Sequence, residues 1–210
     1  MSDHEVPMFP LGMVVFPHQV VGLVVFEERY QRLLDDLDDS QRFATCLIAH
    51  GCEVGGGDER HSVGTMLQIV GRSSTARGQT LLMVEGRECL EITRWLDDAP
   101  YPRAMVRERR CDDGEVDAEL LRSTSSAVRA LRALQSEVNA DECLQFNCSM
   151  AADPLVRMWQ LCALAPMSTF DQFKVLSLHD ANERLALVNE ICCERYGDYQ
   201  RMLALDAAPR

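Results

Sequence analysis

The sequence predicts an α+β fold: a β-rich first half forming a small, partly closed barrel, followed by a bundle of helices. Two observations carry this. Up to about residue 110 the apolar residues fall in short runs rich in β-branched and aromatic side chains, broken by Gly and Pro. Beyond residue 116 they recur with a helical period. Between the halves runs Cys111-Asp112-Asp113-Gly114-Glu115, the start of a stretch with five acids in residues 112–119. It reads as a solvated linker and helix start in preference to an acidic interaction patch. The expected units are residues 1–111 and 116–205, with a frayed tail at 206–210.

In chain order, Val14-Val15-Phe16 and residues 20–26 each predict a strand, with Pro17 between them. Residues 27–37 switch to helical spacing. Tyr30, Leu33, Leu34 and Leu37 share one face, and Glu27 and Glu28 suit the positive end of the helix dipole. Four aspartates, at 35, 36, 38 and 39, end it in a solvated turn. Residues 43–49 predict a buried strand, 51–57 a flexible loop with three consecutive glycines, and 63–70 another strand. After a turn at 73–78, residues 80–85 and 89–96 predict a hairpin around Gly86-Arg87, and 104–109 close the set. Six or so short strands with turn signals between them suggest the barrel.

In the second half Leu120, Leu121, Ala127, Val128, Leu131, Leu134 and Val138 fit one helix. Asp153-Pro154 is an N-cap followed by Pro at the first helical position, ahead of Leu155, Met158, Trp159 and Cys162. Ser168 caps a short helix carrying Phe170, Phe173 and Val175. Asp180 with Glu183 resembles a capping box for a last helix expected to bury Leu185, Val188, Ile191, Cys192, Tyr199 and Met202.

The 210 residues carry a net charge of −12, which repels phosphate and disfavours nucleic acid as a partner. The first residues lack a basic leader pattern, and no apolar run approaches the ~20 residues a membrane helix needs. The chain is expected in the cytoplasm. Its nine cysteines are odd in number, irregular in spacing and free of C-x-x-C, so reduced thiols are expected and a metal is not.

Several mechanisms are missing from the text of the chain. A P-loop needs Gly-Lys, yet the only lysine is Lys174, preceded by Phe173. There is no G-x-S-x-G, H-E-x-x-H or G-x-G-x-x-G. A Cys-His pair of distant residues stays open as chemistry, with Cys46 or Cys52 and His50 or His61 as its members.

Two stretches about 150 residues apart carry a resemblance. The first is Phe9-Pro10-Leu11-Gly12-Met13-Val14-Val15-Phe16-Pro17 with Glu28-Arg29-x-x-Arg32. The second is Phe170-Asp171-Gln172-Phe173-Lys174 with Asn182-Glu183-Arg184-Leu185. Gly64-Thr65 and Val84-Glu85-Gly86 lie between them. In this order, over roughly residues 5 to 203, the chain resembles the amino-terminal substrate-binding domain of Lon proteases. The resemblance implies a PUA-like pseudobarrel followed by a helical bundle. It also implies binding of unfolded or tagged polypeptide, without the ATPase and proteolytic domains.

The expected function is therefore a non-catalytic polypeptide-binding module, an adaptor or chaperone-like protein, with no cofactor. Phe16, Pro17, Glu28, Arg29 and Arg32 are the expected binding residues. Glu28 and Arg32 lie four apart on one helix face, where a plain ion pair is the competing role. Phe9, Phe16 and Phe26 either line an apolar groove or belong to the core. The alternatives are a small-molecule or nucleic-acid binding PUA-like module and a Cys-His hydrolase.

Overall fold

The β-branched runs of the first half become strands and the periodic runs of the second become helices. The computed structural model describes residues 2–51, 57–75, 79–110, 115–138 and 149–206. The chain divides into two units, Met1–Arg110 and Cys111–Arg210. Most of the acidic linker (111–114), Cys52, Cys143, Cys148, the glycines at 55 and 56, and part of the 73–78 turn lie outside the described residues. Among the described residues no helix is long and apolar enough to cross a membrane.

The first unit holds β1 (His4–Pro7), β2 (Val20–Val25), α1 (Glu28–Asp35), β3 (Arg42–His50), β4 (Glu59–Ser74), β5 (Thr80–Trp95) and β6 (Arg103–Glu108). All strand pairs are antiparallel, in the order β1-β6-β5-β4-β3, and β2 pairs with the first part of β5. The chain leaving β1 then bridges in parallel to β3, at Met8 with Ala44 and Leu11 with Leu47. Phe9 N donates to Ala44 O at 2.7 Å and Leu11 N to Cys46 O at 3.0 Å. This joins the two ends of the strand order, so the sheet closes on itself and hides its edges there.

Closure leaves two apolar clusters. Phe9, Tyr30, Leu33, Leu34, Phe43, Leu67, Leu82 and Val84 form one, with α1 packed over it. Val6, Met8, Met66, Leu90, Ile92 and Val106 form the other.

Two expected elements differ. Val14-Val15-Phe16 is buried but, among the described residues, pairs with no strand. Its backbone is satisfied otherwise: Thr65 Oγ1 donates to Val15 O at 2.6 Å, and Phe16 N donates to Gln19 Oε1 at 2.9 Å. The expected hairpin at Gly86-Arg87 does not exist, because β5 runs unbroken through it. Gly86 is a site of close approach: a Cβ there would come within 3.0 Å of the Phe16 carbonyl. His18 N donates to Gly86 O, and Gly86 N to Gln19 O, both at 2.8 Å. The glycine makes room for a crossing backbone instead of turning its own. β1 had no clear signal, being short and partly exposed.

The second unit holds α2 (Ala118–Val138), α3 (Pro154–Leu164), α4 (Thr169–Ser177) and α5 (Ala181–Asp206). The caps lie where the sequence put them. Asp153 Oδ1 accepts from Leu155 N at 2.8 Å and Val156 N at 3.0 Å, and Ser168 Oγ accepts from Asp171 N at 3.1 Å. Asp180 Oδ1 accepts from Asn182 N and Glu183 N. Leu121, Val128, Leu131, Trp159, Cys162, Leu185 and Val188 fill the core. Arg184 is also buried, with its guanidinium 4.4 Å over the Trp159 ring and its Nη2 donating to Leu178 O. The ring face satisfies the cation where water does not reach. Tyr199 is half-buried and Met202 exposed, because the last turns of α5 extend past the residues that cover its earlier ones.

Candidate functional site

The site grows from the alternation of β2. Val21, Leu23 and Val25 turn inward, Leu23 and Val25 into the core cluster and Val21 against it. Val20, Gly22 and Val24 face outward. Their neighbours across the pairing are Glu85, Met83 and Leu81. Beyond Met83 the next residue in register is Gly71 of β4. Met83 therefore lies between two glycines. A Cβ on Gly22 would sit 3.7 Å from its Sδ, and one on Gly71 would sit 3.4 Å from its Cβ. Low neighbours on both sides leave the thioether raised on the face.

Among the described residues, the exposed large apolar side chains of the first unit are Met13, Val20, Val24, Phe26, Val70 and Met83. All lie on or beside β2, β4 and β5. Val20 is 53% exposed and Phe26 55%. Val70 stands at a β-bulge between Ile69 and Gly71, where the extra residue is left unpaired. Beside this face opens a cleft of about 320 Å³, lined by Phe9, Leu11, Met13, β2 residues Gly22, Leu23 and Val24, then Phe26, Glu27 and Tyr30. Its floor is firm. Phe9 and Tyr30 stack at 3.9 Å with an interplanar angle of 13°, and the Arg29 guanidinium lies 4.5 Å above the Tyr30 ring. Burial pushes the Tyr30 hydroxyl up to about 12. Gln31 Nε2 donates to Val25 O at 2.8 Å and ties α1 to the end of β2.

The sequence-expected residues fall in two places. Phe16 is 1% exposed and Pro17 is buried, both against Gly86, so neither is within reach of a large partner. Glu28 and Arg32 form an open ion pair of 2.5 Å on α1, and Arg29 turns inward to Glu27 at 3.2 Å. Of the three phenylalanines, Phe9 and Phe26 line the cleft and Phe16 does not. Met13 and Met83 lie outside residues 20–26 and were missed with no signal of their own, and Val20 and Val24 were missed because that run is apolar on both faces. That pattern reads as a strand covered on both sides. Its one interruption, Gly22, was the available signal.

A second cleft, of about 330 Å³, runs between β1 and the turn after α1, lined by His4, Glu5, Asp36, Asp38 and Arg42 among others. Arg42 pairs there with Glu88, and Tyr101 donates to Asp36 Oδ2 at 3.0 Å. Cys46 does not have the character of a nucleophile. Burial pushes its thiol up to about 12, away from the thiolate that attack requires. Cys52 lies outside the described residues.

Comparison with known proteins agrees with this architecture. The family model of the ATP-dependent protease La (LON) substrate-binding domain matches residues 5–194. Lon protease of Escherichia coli is 26% identical over 187 residues, covering 86% of this chain and 24% of its own. Lon protease of Heliobacterium modesticaldum is 24% identical over 193 residues, covering 89% of this chain and 23% of its own. The chain thus spans about a quarter of the length of these curated relatives. Two solved structures share the fold. A Lon N-terminal domain protein from Xanthomonas campestris has TM-score 0.62 at 22% identity, over 87% of this chain and 95% of that one. The N-terminal domain of a Mycobacterium avium complex Lon protease has TM-score 0.63 at 18% identity, over 93% of this chain and 99% of that one. A family match across nearly the whole chain, with the same fold in both neighbours, means that this chain belongs to the Lon substrate-binding domain family.

Proposed function

We propose that this chain is a non-catalytic module that binds unfolded, apolar-rich polypeptide, on the outward face of β2, β4 and β5. One observation carries the reading: Val20, Val24, Phe26, Val70 and Met83 are exposed together on one side of an otherwise well-filled sheet. An apolar patch on a protein with a net charge of −12 is a recognition surface that its own charge keeps from self-association. The same charge favours basic clients over acidic ones and disfavours nucleic acid. The exposed Glu28–Arg32 pair on α1 supplies polar groups that a client could meet, while Arg29 turns inward to Glu27. The described cysteines are free thiols, which suits a reducing, cytoplasmic setting. The family relation supports protein substrates as the partners.

The test is fluorescence anisotropy with labelled unfolded peptides. Val24→Ser and Phe26→Ser, both at exposed positions, should weaken binding about tenfold with unchanged folding, a loss of about 1.4 kcal/mol. If no unfolded peptide binds at ~1 mM, corresponding to only about 4 kcal/mol, the reading fails. In that outcome a small apolar ligand in the Phe9–Tyr30 cleft is the reading to pursue.

A further inference from the structure

We infer that the client is held as an added β-strand along the open edge of β2, with alternate side chains entering the neighbouring cleft. This rests on the polypeptide reading and specifies its mode. β2 is hydrogen-bonded to β5 on one side only, and among the described residues no strand pairs its other side. The bridges after β1 join the strand order at β3, and β2 lies off that order. An unpaired edge is a template for another chain.

The position of the cleft is the second observation. Side chains of a strand alternate between faces, so a hollow over one face touches every other residue. This cleft is lined by three consecutive residues, Gly22, Leu23 and Val24, and by none of β5. It therefore lies against the edge of β2 that β5 does not occupy. Its far wall is Phe9, Leu11 and Met13, and its end is Phe26 and Tyr30. Gly22 contributes no side chain that would hold a second backbone away.

Charge selects the occupant. The only charged residue lining the cleft is Glu27, and Glu28 beside it is exposed. A second copy of this chain would bring another −12 to the interface. The fitting partner is an extended, proline-poor segment of apolar residues flanked by Lys or Arg.

The probe is a labelled ten-residue peptide of alternating Val and Phe with flanking lysines. Two N-methylated versions carry the methyl groups on odd or on even residues. In an added strand only one parity donates to β2. One version should therefore lose about tenfold or more in affinity, while the other stays within about threefold of the parent. Amide exchange of residues 20–25 should slow by a similar factor on binding. Equal affinity of both versions would overturn the strand mode and leave polypeptide binding standing. Failure of the parent peptide together with unfolded proteins would overturn both. Concentration-dependent dimerisation that the peptide does not reverse would assign the edge to a second copy and overturn the proposal.

Discussion

Phe16 and Gly86 are locked together by their backbones: the Phe16 carbonyl lies where the space for a Cβ on Gly86 would have to be. Both flanking links are main-chain bonds, His18 N to Gly86 O and Gly86 N to Gln19 O. Neither partner is a flexible side chain able to swing aside. Gly86→Ala should therefore destabilise the first unit by about 3 kcal/mol, read as a fall in the urea midpoint. Gly22→Ala is the control, since its Cβ would meet Met83 Sδ at an ordinary 3.7 Å. Equal effects of the two substitutions would refute the account.

His18, in the crossing turn, has φ 60°, a left-handed conformation that costs a residue with a side chain. His18→Gly should be neutral or stabilising by up to about 1 kcal/mol despite the added chain entropy of glycine. Thermal unfolding of the pair of proteins decides it, and a loss above about 1 kcal/mol would contradict the strain argument.

Removing the cap at Asp153 should cost the second unit about 1 kcal/mol, because Leu155 N and Val156 N lose their acceptor. Glu28→Ala and Arg32→Ala, by contrast, break an ion pair whose side chains are 79% and 59% exposed. Each should change stability by less than about 0.5 kcal/mol. Denaturant melts of the three variants test this ordering.

Thiol reactivity should separate sharply. Burial pushes the Cys46 and Cys162 thiols up to about 12 from an ordinary 9.0, while Cys193 is exposed. At pH 8 iodoacetamide should label Cys193 on the order of a hundredfold faster than Cys46 or Cys162, followed by mass spectrometry of the modified peptides. The folded state prefers these two thiols protonated. Their contribution to stability is whole below about pH 9 and is lost as pH rises from there through about 12.

At acid pH one sensitive group, the least exposed of those held low, is Asp58. Burial raises its carboxyl, but the Arg60 hydrogen bond, the Asp58 backbone and the nearby guanidinium charges outweigh burial and hold it below the ordinary 3.8. Arg60 also pairs with Asp98 at 2.6 Å and lies 4.5 Å over the Trp95 ring. A depressed carboxylate contributes stability above its unfolded value and loses it as pH falls. Asp58→Asn should cost about 1–3 kcal/mol at pH 7, with the difference from wild type shrinking below about pH 4. A difference that does not change between pH 7 and pH 3 would show that the ion pair is not its source.

Part of this protein was determined by the order of its residues alone. The switch from β-branched runs to a 3.6-residue period, the caps at Asp153, Ser168 and Asp180, and the apolar face of α1 all act within a few residues of themselves. Nothing distant is needed to place them. The tertiary structure decided the rest. Gly86 reads as a turn until Phe16, seventy positions earlier, is seen to cross it. Val14-Val15-Phe16 has strand composition, but pairing depends on a neighbour, and here Thr65 and Gln19 take the backbone groups instead. The apolar residues of β2 look the same in a covered strand and in an exposed one. Only their place at the edge, with β5 on one side and no described strand on the other, turns Val20 and Val24 from candidate core into a surface. The reason is common to all three: a residue's local preference is set by its own side chain, whereas its burial is set by what arrives from far along the chain.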